Sequence, residues 1–478
     1  MRARSLIVAL VTLTVASVVA VTTAQSSVPM RPLITGLVQP TAFPLDPSDR
    51  PAAYRRIAQA GGTVVRIGLS WRATASHRPA KATNPDDPAY DWTAFDADLS
   101  AAVGAGLIPI VSINDTPSWA RSAPSGENFQ PNVASFGSFA SAAATRYDGR
   151  HRGVPRIKDW QAWIEPNVNS FLAPQYDSQN KPVSPEYYRL MVNAFAASVH
   201  AARPDNLVVA GGLSPFTVQV GDTRTVGPLR FMRMMLCLSS GPHPKPTCHR
   251  PVHFDVWSHH PYTTGNAQHH AVNPDDVSLG DLPKMKKLLD AAQAAGDLVS
   301  SHPIRFWVTE FSWDTDPPDP HAVPVALQAR WTAEALYTMW SAGIDLVIWL
   351  QLRDEPYPQS PNQGGLYFRG ASFARDRPKP TLTAFRFPFV AYLDKTGVRL
   401  WGRTPTSTAG TVTIEHRVGS GSPWRHFVTL HANRFGIFGA TVASALSPKE
   451  SVRVRAPGSA SLAFSLTEPP DHPYHPFG

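Results

Sequence analysis

Two glutamates close apolar runs in this chain: Glu165 follows Trp160-Gln161-Ala162-Trp163-Ile164, and Glu310 follows Phe306-Trp307-Val308-Thr309. A carboxylate at such a boundary is costly to desolvate unless it has partners or work to do. One alone reads equally well as half of a structural ion pair. Two within about 5 Å of each other can split a displacement into two steps, one attacking a carbon while the other moves a proton. At the anomeric carbon of a sugar, that chemistry is double displacement with retention.

Bringing them together requires a fold, and the surrounding pattern supplies one. From residue 33 to about 392, short β-branched or aromatic runs alternate with Ala-rich helical stretches, the signature of βα units around a parallel sheet. The runs number eight: Leu33–Leu37, Thr63–Trp71, Leu107–Ile113, Ile157–Ile164, Leu207–Leu213, Phe254–His259, Arg305–Thr309 and Leu346–Leu350. Between them, helices are predicted over Pro51–Ala60, Trp92–Ala105, Val133–Tyr147, Pro185–Ala202, Leu282–Ala295 and Pro324–Ala342. Tyr187, Leu190, Met191, Ala194, Phe195 and Val199 fall at helical spacing and predict one packed stripe. The expected class is α/β, a (β/α)₈ TIM barrel, whose active sites lie at the C-terminal strand ends. Strands four and seven then end in Glu165 and Glu310 and face each other across the mouth.

At these residues the chain resembles the clan A retaining glycoside hydrolases, the superfamily of cellulases, β-xylosidases, β-galactosidases and arabinofuranosidases. The resemblance covers residues 33–392. It rests on Ile164-Glu165-Pro166 after strand four, like the superfamily's acid/base element, and on Trp307-Val308-Thr309-Glu310-Phe311-Ser312-Trp313, like its nucleophile element. The resemblance implies Glu165 as acid/base and Glu310 as nucleophile. It further implies that Arg66, in Val64-Val65-Arg66-Ile67, holds the nucleophile ionised. His260 and Tyr262 resemble the strand-six His-x-Tyr element, with Tyr262 bonding Glu310, and Trp349 resembles the aromatic floor under the sugar ring. One position departs from the pattern: the asparagine that precedes the acid/base and bonds the sugar's 2-hydroxyl is Ile164 here. Asn167, Asn169 and Asn114 are the nearby candidates for that bond.

Other residues are candidates on their types alone. Trp71, Trp119 and Trp313 could stack on neighbouring sugars, and Asp314, Asp316 and Asp354 could bind hydroxyls, although loop aspartates commonly form turns and tryptophans commonly fill cores. Trp163 and Ile164 are expected to give Glu165 an apolar surrounding that keeps it neutral.

Length and composition bound the rest. Of 478 residues, the first 27 have a signal-peptide layout: Arg2 and Arg4, an apolar run from Leu6 to Val21, then small residues; an uncleaved anchor is the rival reading. Export and a secreted or cell-envelope location follow, with no membrane span in the mature chain. The expected division is barrel over 31–393, β-sandwich over 394–468, and a Pro/His-rich, disordered tail over 469–478. In the sandwich, Trp401 and Trp424 read as core before they read as a carbohydrate platform. Cys237 and Cys248, the only two cysteines, predict a disulfide in an exported chain; the loop between them lacks the paired spacing of a zinc site. With 44 basic and 36 acidic residues, net +8, and no long run of like charge, nucleic-acid binding finds no support. There is no phosphate loop, dinucleotide fingerprint or metal triad, so the chemistry calls for a carbohydrate substrate and no cofactor or metal. Two readings remain open: a glycosidase of oligo- or polysaccharides, or a non-catalytic glycan-binding protein on a degenerate barrel. Sugar, linkage, exo or endo action and oligomeric state are not encoded legibly.

Overall fold

Each of the eight apolar runs becomes a barrel strand, with no end displaced by more than two residues: β1 (Ile34–Val38), β2 (Val64–Ser70), β3 (Ile108–Asn114), β4 (Asp159–Ala162), β5 (Leu207–Leu213), β6 (Val256–His259), β7 (Arg305–Val308) and β8 (Leu346–Trp349). The computed structural model describes residues 23–24, 28–122, 130–151, 153–300 and 302–476. The strands pair in parallel in sequence order, and β8 closes on β1. Period-two alternation sorts their side chains. Val64, Ile110, Val209, Val256, Trp307, Leu346 and Ile348 fill the barrel interior, while their neighbours pack outward under the helices.

The outer layer is α1 (Arg50–Gln59), α2 (Thr93–Gly104), α3 (Val133–Arg146), α4 (Ser184–Ala202), α5 (Pro228–Met235), α6 (Leu282–Ala295), α7 (Val325–Ser341) and α8 (Pro380–Arg386). Of these, α5 and α8 lie outside the predicted set. Both are too short to display a helical period, although each carries proline at its start. On α4 the buried stripe is Tyr188, Met191, Val192, Phe195, Ala196 and Val199, and Leu190 is exposed, so the stripe sits one residue round from the predicted one. Tyr188 sets that rotation. Its hydroxyl donates to Ala162 O at 2.6 Å and accepts from Gly211 N at 2.9 Å, clamping α4 to the ends of β4 and β5.

The second domain is a β-sandwich. One sheet runs β9 (Phe389–Asp394), β10 (Gly397–Arg403) and β13 (Ile437–Val442); the other joins β12 (Arg425–Ala432), β11 (Gly410–Val418) and β14 (Glu450–Ala456). It begins at Phe389, ahead of the expected 394. Phe389, Val390 and Ala391 are all buried, so this strand shows no alternation to betray its sheet. Arg403, buried, binds the two domains by donating to Leu33 O at 2.7 Å and to Phe385 O at 3.1 Å. The backbone of Thr23–Ala24 pairs in parallel with Thr429–Leu430. The rest of the expected signal peptide, residues 1–27, lies outside the described residues.

Two further expectations are corrected. Residues 469–476 are not a free tail: Tyr474 is buried and hydrogen-bonded to the barrel. Prolines at 469, 470, 473 and 476 restrict the unfolded chain, so docking an extended segment costs less entropy than composition suggests. In the sandwich, Trp401 is core, but Trp424 is half-buried between the guanidinium groups of Arg417 and Arg453, 4.4 and 4.3 Å from its ring centroid.

Candidate active site

Interior parity decides which side chains reach the barrel mouth. On β2, Arg66 shares the inward face of Val64 and is almost wholly buried. On β4, Asp159 and Gln161 point in and Trp160 and Ala162 point out; the alternation then breaks, because Trp163 (φ 71°) and Glu165 (φ 41°) are both left-handed. Such backbone is unfavourable for residues with a Cβ and clusters where geometry is imposed by function. Gly212, at the end of β5, receives this loop: its carbonyl accepts from Glu165 N at 3.0 Å. Beside it, Gly211 (φ 93°) could not be another residue, since a Cβ there would lie 2.3 Å from Ser258 O.

The result is a cluster of six side chains from strands two, four, six and seven and the loops that follow them. Arg66 donates to Glu310 Oε2 at 2.6 Å, and the Tyr262 hydroxyl donates to Glu310 Oε1 at 2.7 Å. His260 Nδ1 lies 2.9 Å from Glu165 Oε1, and its Nε2 lies 3.2 Å from Thr309 Oγ1. One carboxylate oxygen of Glu165, one of Glu310 and a ring nitrogen of His260 lie within 4.8 Å of one another. Burial alone would raise the pKa of Glu310, but the charges of His260 and Arg66 and the bonds from Tyr262 and Arg66 overcome it and hold the carboxyl below its usual range. Burial and the adjacent Glu310 charge push the Tyr262 phenol well up, so it stays a donor. His260 thus links Glu165 to Thr309 through its two ring nitrogens, whose donor and acceptor roles follow the tautomer.

Glu165, His260 and Glu310 together form a set that could ligate a cation. Their partners argue against it. Both oxygens of Glu310 are engaged, one by a guanidinium whose charge would oppose a dication. Cys237 and Cys248 are joined in a disulfide, so their sulfurs are not ligands either.

Several predicted residues point elsewhere. Trp349 has the parity of Val347, outward from the barrel: it is buried, its Nε1 donates to Gly364 O at 2.7 Å, and its ring meets Phe311 and Phe385. It forms no floor, and Leu350 lines the cavity in its place. Trp71 stacks on Phe139 in the outer core with Trp119 at its edge, and Trp313 is buried against Phe311 and Trp331. Trp163 is buried against Phe136 with its Nε1 on Phe171 O, so it gives its surface to the core. Asn167 spends its amide on Ser214 and Val226 backbone, and Asn169 on Asp222 and Arg224 backbone, each tying the loop after β4 to the loop after β5. Asn114, on the inward face of β3 at its mouth end, is half-buried and has no side-chain hydrogen bond among the described residues. Asp354 is committed to a buried pair with Lys379 at 2.6 Å; burial chiefly raises its pKa, to about 7. Asp314 accepts from Gln363 N and the Tyr474 hydroxyl, and Asp316 is exposed.

Beside Tyr262 lies a cavity of about 480 Å³, walled by Ser312, Leu350, Asn362, Tyr474 and His475 among others. Thr309, Leu350 and the 474–475 pair escaped sequence reasoning. Parity with Ile348 and with Trp307 could have found Leu350 and Thr309; nothing local marked the 474–475 pair. A larger groove of about 630 Å³, between α7 and the sandwich, is lined by no residue of the cluster around Glu310, whereas the smaller cavity meets it through Tyr262.

Neither a protein-family model nor a curated protein sequence matches the chain. Solved structures do. The chain is similar to a family 39 glycoside hydrolase from the gut symbiont Bacteroides cellulosilyticus WH2 (TM-score 0.54, 16% identity, covering 86% of this chain and 81% of that one). It is also similar to the family 39 enzyme from Xanthomonas axonopodis pv. citri (0.51, 15%, 91% and 95%) and to a monomeric β-xylosidase from Caulobacter crescentus CB15 (0.50, 14%, 89% and 96%). The fold is that of the family 39 glycoside hydrolases. The TIM barrel with its appended β-sandwich is thereby shared over most of both chains.

Proposed function

We propose that the chain is a retaining glycosidase acting on O-glycosidic bonds of an oligo- or polysaccharide, with Glu310 as nucleophile and Glu165 as acid/base. The observation that carries this reading is the spacing: carboxylate oxygens within 4.8 Å of each other suit direct attack, whereas the inverting arrangement needs a wider gap of about 6.5 Å or more for a water. The neighbours favour the division of roles. Glu310, held ionised between Arg66 and Tyr262, attacks C1; the glycosidic C–O bond breaks as Glu165 gives its proton to the departing oxygen. Glu165, now a carboxylate bonded to His260, then takes a proton from water, whose oxygen displaces Glu310 from C1. Asn114 is the side chain left to bond the sugar's 2-hydroxyl in place of the residue that Ile164 replaces.

Export is part of the same proposal: the leader pattern and a disulfide suit an oxidising compartment, and no helix among the described residues is long and apolar enough to cross a membrane. Ile164 keeps the glycan-binding alternative distinct. A panel of aryl glycosides, covering both anomers and both ring sizes, separates the two. Turnover with retained configuration by proton NMR, and a 2-deoxy-2-fluoro glycoside trapped on Glu310 by peptide mass, is the expected result. Inverted product or a label elsewhere overturns the mechanism, and binding without turnover leaves the glycan-binding reading.

A further inference from the structure

The cavity lined by Tyr262, whose hydroxyl bonds Glu310, is completed by a segment that comes from the second domain. After pairing with β14 at Phe464–Ser465, the chain leaves the sandwich and runs back over the barrel mouth. Arg330 on α7 holds its beginning, donating to Ser465 O at 2.7 Å and lying 3.9 Å from Glu468. The His472 ring lies 6.3 Å from that of Trp331. Tyr474 then ends the run with three bonds: its backbone N–H donates to Thr264 O at 3.1 Å, its hydroxyl donates to Asp314 Oδ2 at 2.7 Å, and that hydroxyl accepts from Asp314 N at 3.3 Å.

These two anchor points are not arbitrary. Thr264 lies just beyond Tyr262 on the loop after β6, and Asp314 lies just beyond Glu310 on the loop after β7. One buried tyrosine therefore spans the two loops that carry the nucleophile and its phenolic partner. The next residue, His475, is exposed and lines the cavity opposite Leu350 and Asn362 of the loop after β8. The loops after β6, β7 and β8 and this segment together wall the cavity, whose volume is that of a small-ligand pocket.

We propose that residues 471–476 belong to the substrate site: Tyr474 anchors a wall and His475 faces the ligand, so that the cavity accepts the end of a glycan and excludes its middle. The inference rests on the glycosidase reading above and deepens it to exo action on chain ends. A polymer lying through the cavity would have to displace Tyr474 from both loops, whereas a terminal sugar leaves that anchor in place.

The full chain, Tyr474→Ala, Tyr474→Phe and His475→Ala test this with aryl glycosides, oligosaccharides of increasing length and the parent polymer. The unmodified protein is expected to release short products from polymer with little early loss of viscosity. In His475→Ala, KM for the shortest substrate rises about tenfold while kcat falls less. Tyr474→Ala raises KM further and shifts products toward internal cleavage; Tyr474→Phe, which keeps the ring and backbone bond, falls between. Early viscosity loss with the unmodified protein overturns the proposal, as do unchanged KM and product lengths in the variants. If Tyr474→Ala fails to fold, the exposed His475 position decides by itself. If the unmodified protein hydrolyses nothing, the glycosidase reading has failed separately, and the wall is judged by titrating the same oligosaccharides. Weaker binding to His475→Ala then supports it, and equal Kd values or no saturable binding overturn it.

Discussion

The two ends of β6 carry buried ionisable groups that have opposite fates. Asp255 precedes the strand at the barrel's lower face and is fully buried, with every acceptor site used: Val208 N and His200 Nε2 bond one oxygen, Ser300 Oγ and His302 Nδ1 the other. Burial would raise its pKa, but those four bonds outweigh it and hold the carboxyl below its usual range. At the upper end, His260 and Tyr262 spend their polar atoms on Glu165, Thr309 and Glu310 beside an open cavity, and Glu165 has only one side-chain partner in the hydrogen bonds the structure records. A saturated carboxylate is a structural rivet. An under-coordinated one, partly exposed at the barrel mouth, is available for chemistry, in keeping with barrels whose lower face serves stability and whose upper face serves catalysis.

That contrast breaks most visibly at Glu310. Glu310→Gln should lower kcat by on the order of 10⁵, with far less effect on folding. Glu165→Gln should lower kcat/KM by roughly 10³ with poor leaving groups and by less with activated aryl ones, because protonation of the departing oxygen belongs to the first step alone. Steady-state rates beside urea melts check both, and a variant that unfolds while the residual folded protein still turns over would reverse the assignment of that face. Asp255→Asn should do the opposite, losing about 3 kcal/mol of stability at neutral pH while kcat/KM per folded molecule holds. Because the folded pKa of Asp255 is depressed, its stabilisation is present above the ordinary carboxylate pKa and fades as pH falls through the folded value. The stability gap between the unmodified protein and the Asp255→Asn variant therefore narrows in acid, as urea titrations at neutral and low pH will show. The disulfide lies on the same lower side, in the connection from α5 to β6. Its span of 11 residues predicts a loss of about 3 kcal/mol in the Cys237→Ser, Cys248→Ser double variant, again without loss of turnover.

The barrel was legible because eight apolar runs alternate with helical stretches, a rhythm that needs no tertiary information. The two glutamates were legible because a charge interrupts each of two such runs. What sequence concealed was direction. Trp349, Trp313 and Trp71 all sit near strand ends, but a one-residue change of parity sends an aromatic ring outward to the helices, and no local signal reports it. Trp163 was harder still, since the left-handed residues after β4 abolish the alternation itself. Asn167 and Asn169 have the right chemistry for a sugar hydroxyl, yet their amides satisfy loop backbone that would otherwise be stranded. The 469–476 segment was misread for a different reason: its partners, Thr264 and Asp314, are far away in sequence, and composition describes only the unbound chain.

Tyr262→Phe gives the finest test of the upper face. The hydroxyl contributes one of the bonds that keep Glu310 ionised, while its ring also packs near Phe311, with centroids 6.2 Å apart. Phenylalanine keeps the packing and deletes the bond, so stability should hardly change. A hydrogen bond to a charged group is worth about 2 kcal/mol, which corresponds to roughly a thirtyfold fall in kcat/KM. The sign of the pH effect follows from which form the bond favours. Tyr262 stabilises the carboxylate, so removing it raises the pKa of Glu310, and the acid limb of the kcat/KM profile moves to higher pH. An unmoved acid limb with an unchanged rate would mean that Tyr262 serves packing alone, and that Arg66 and His260 suffice to hold the nucleophile charged.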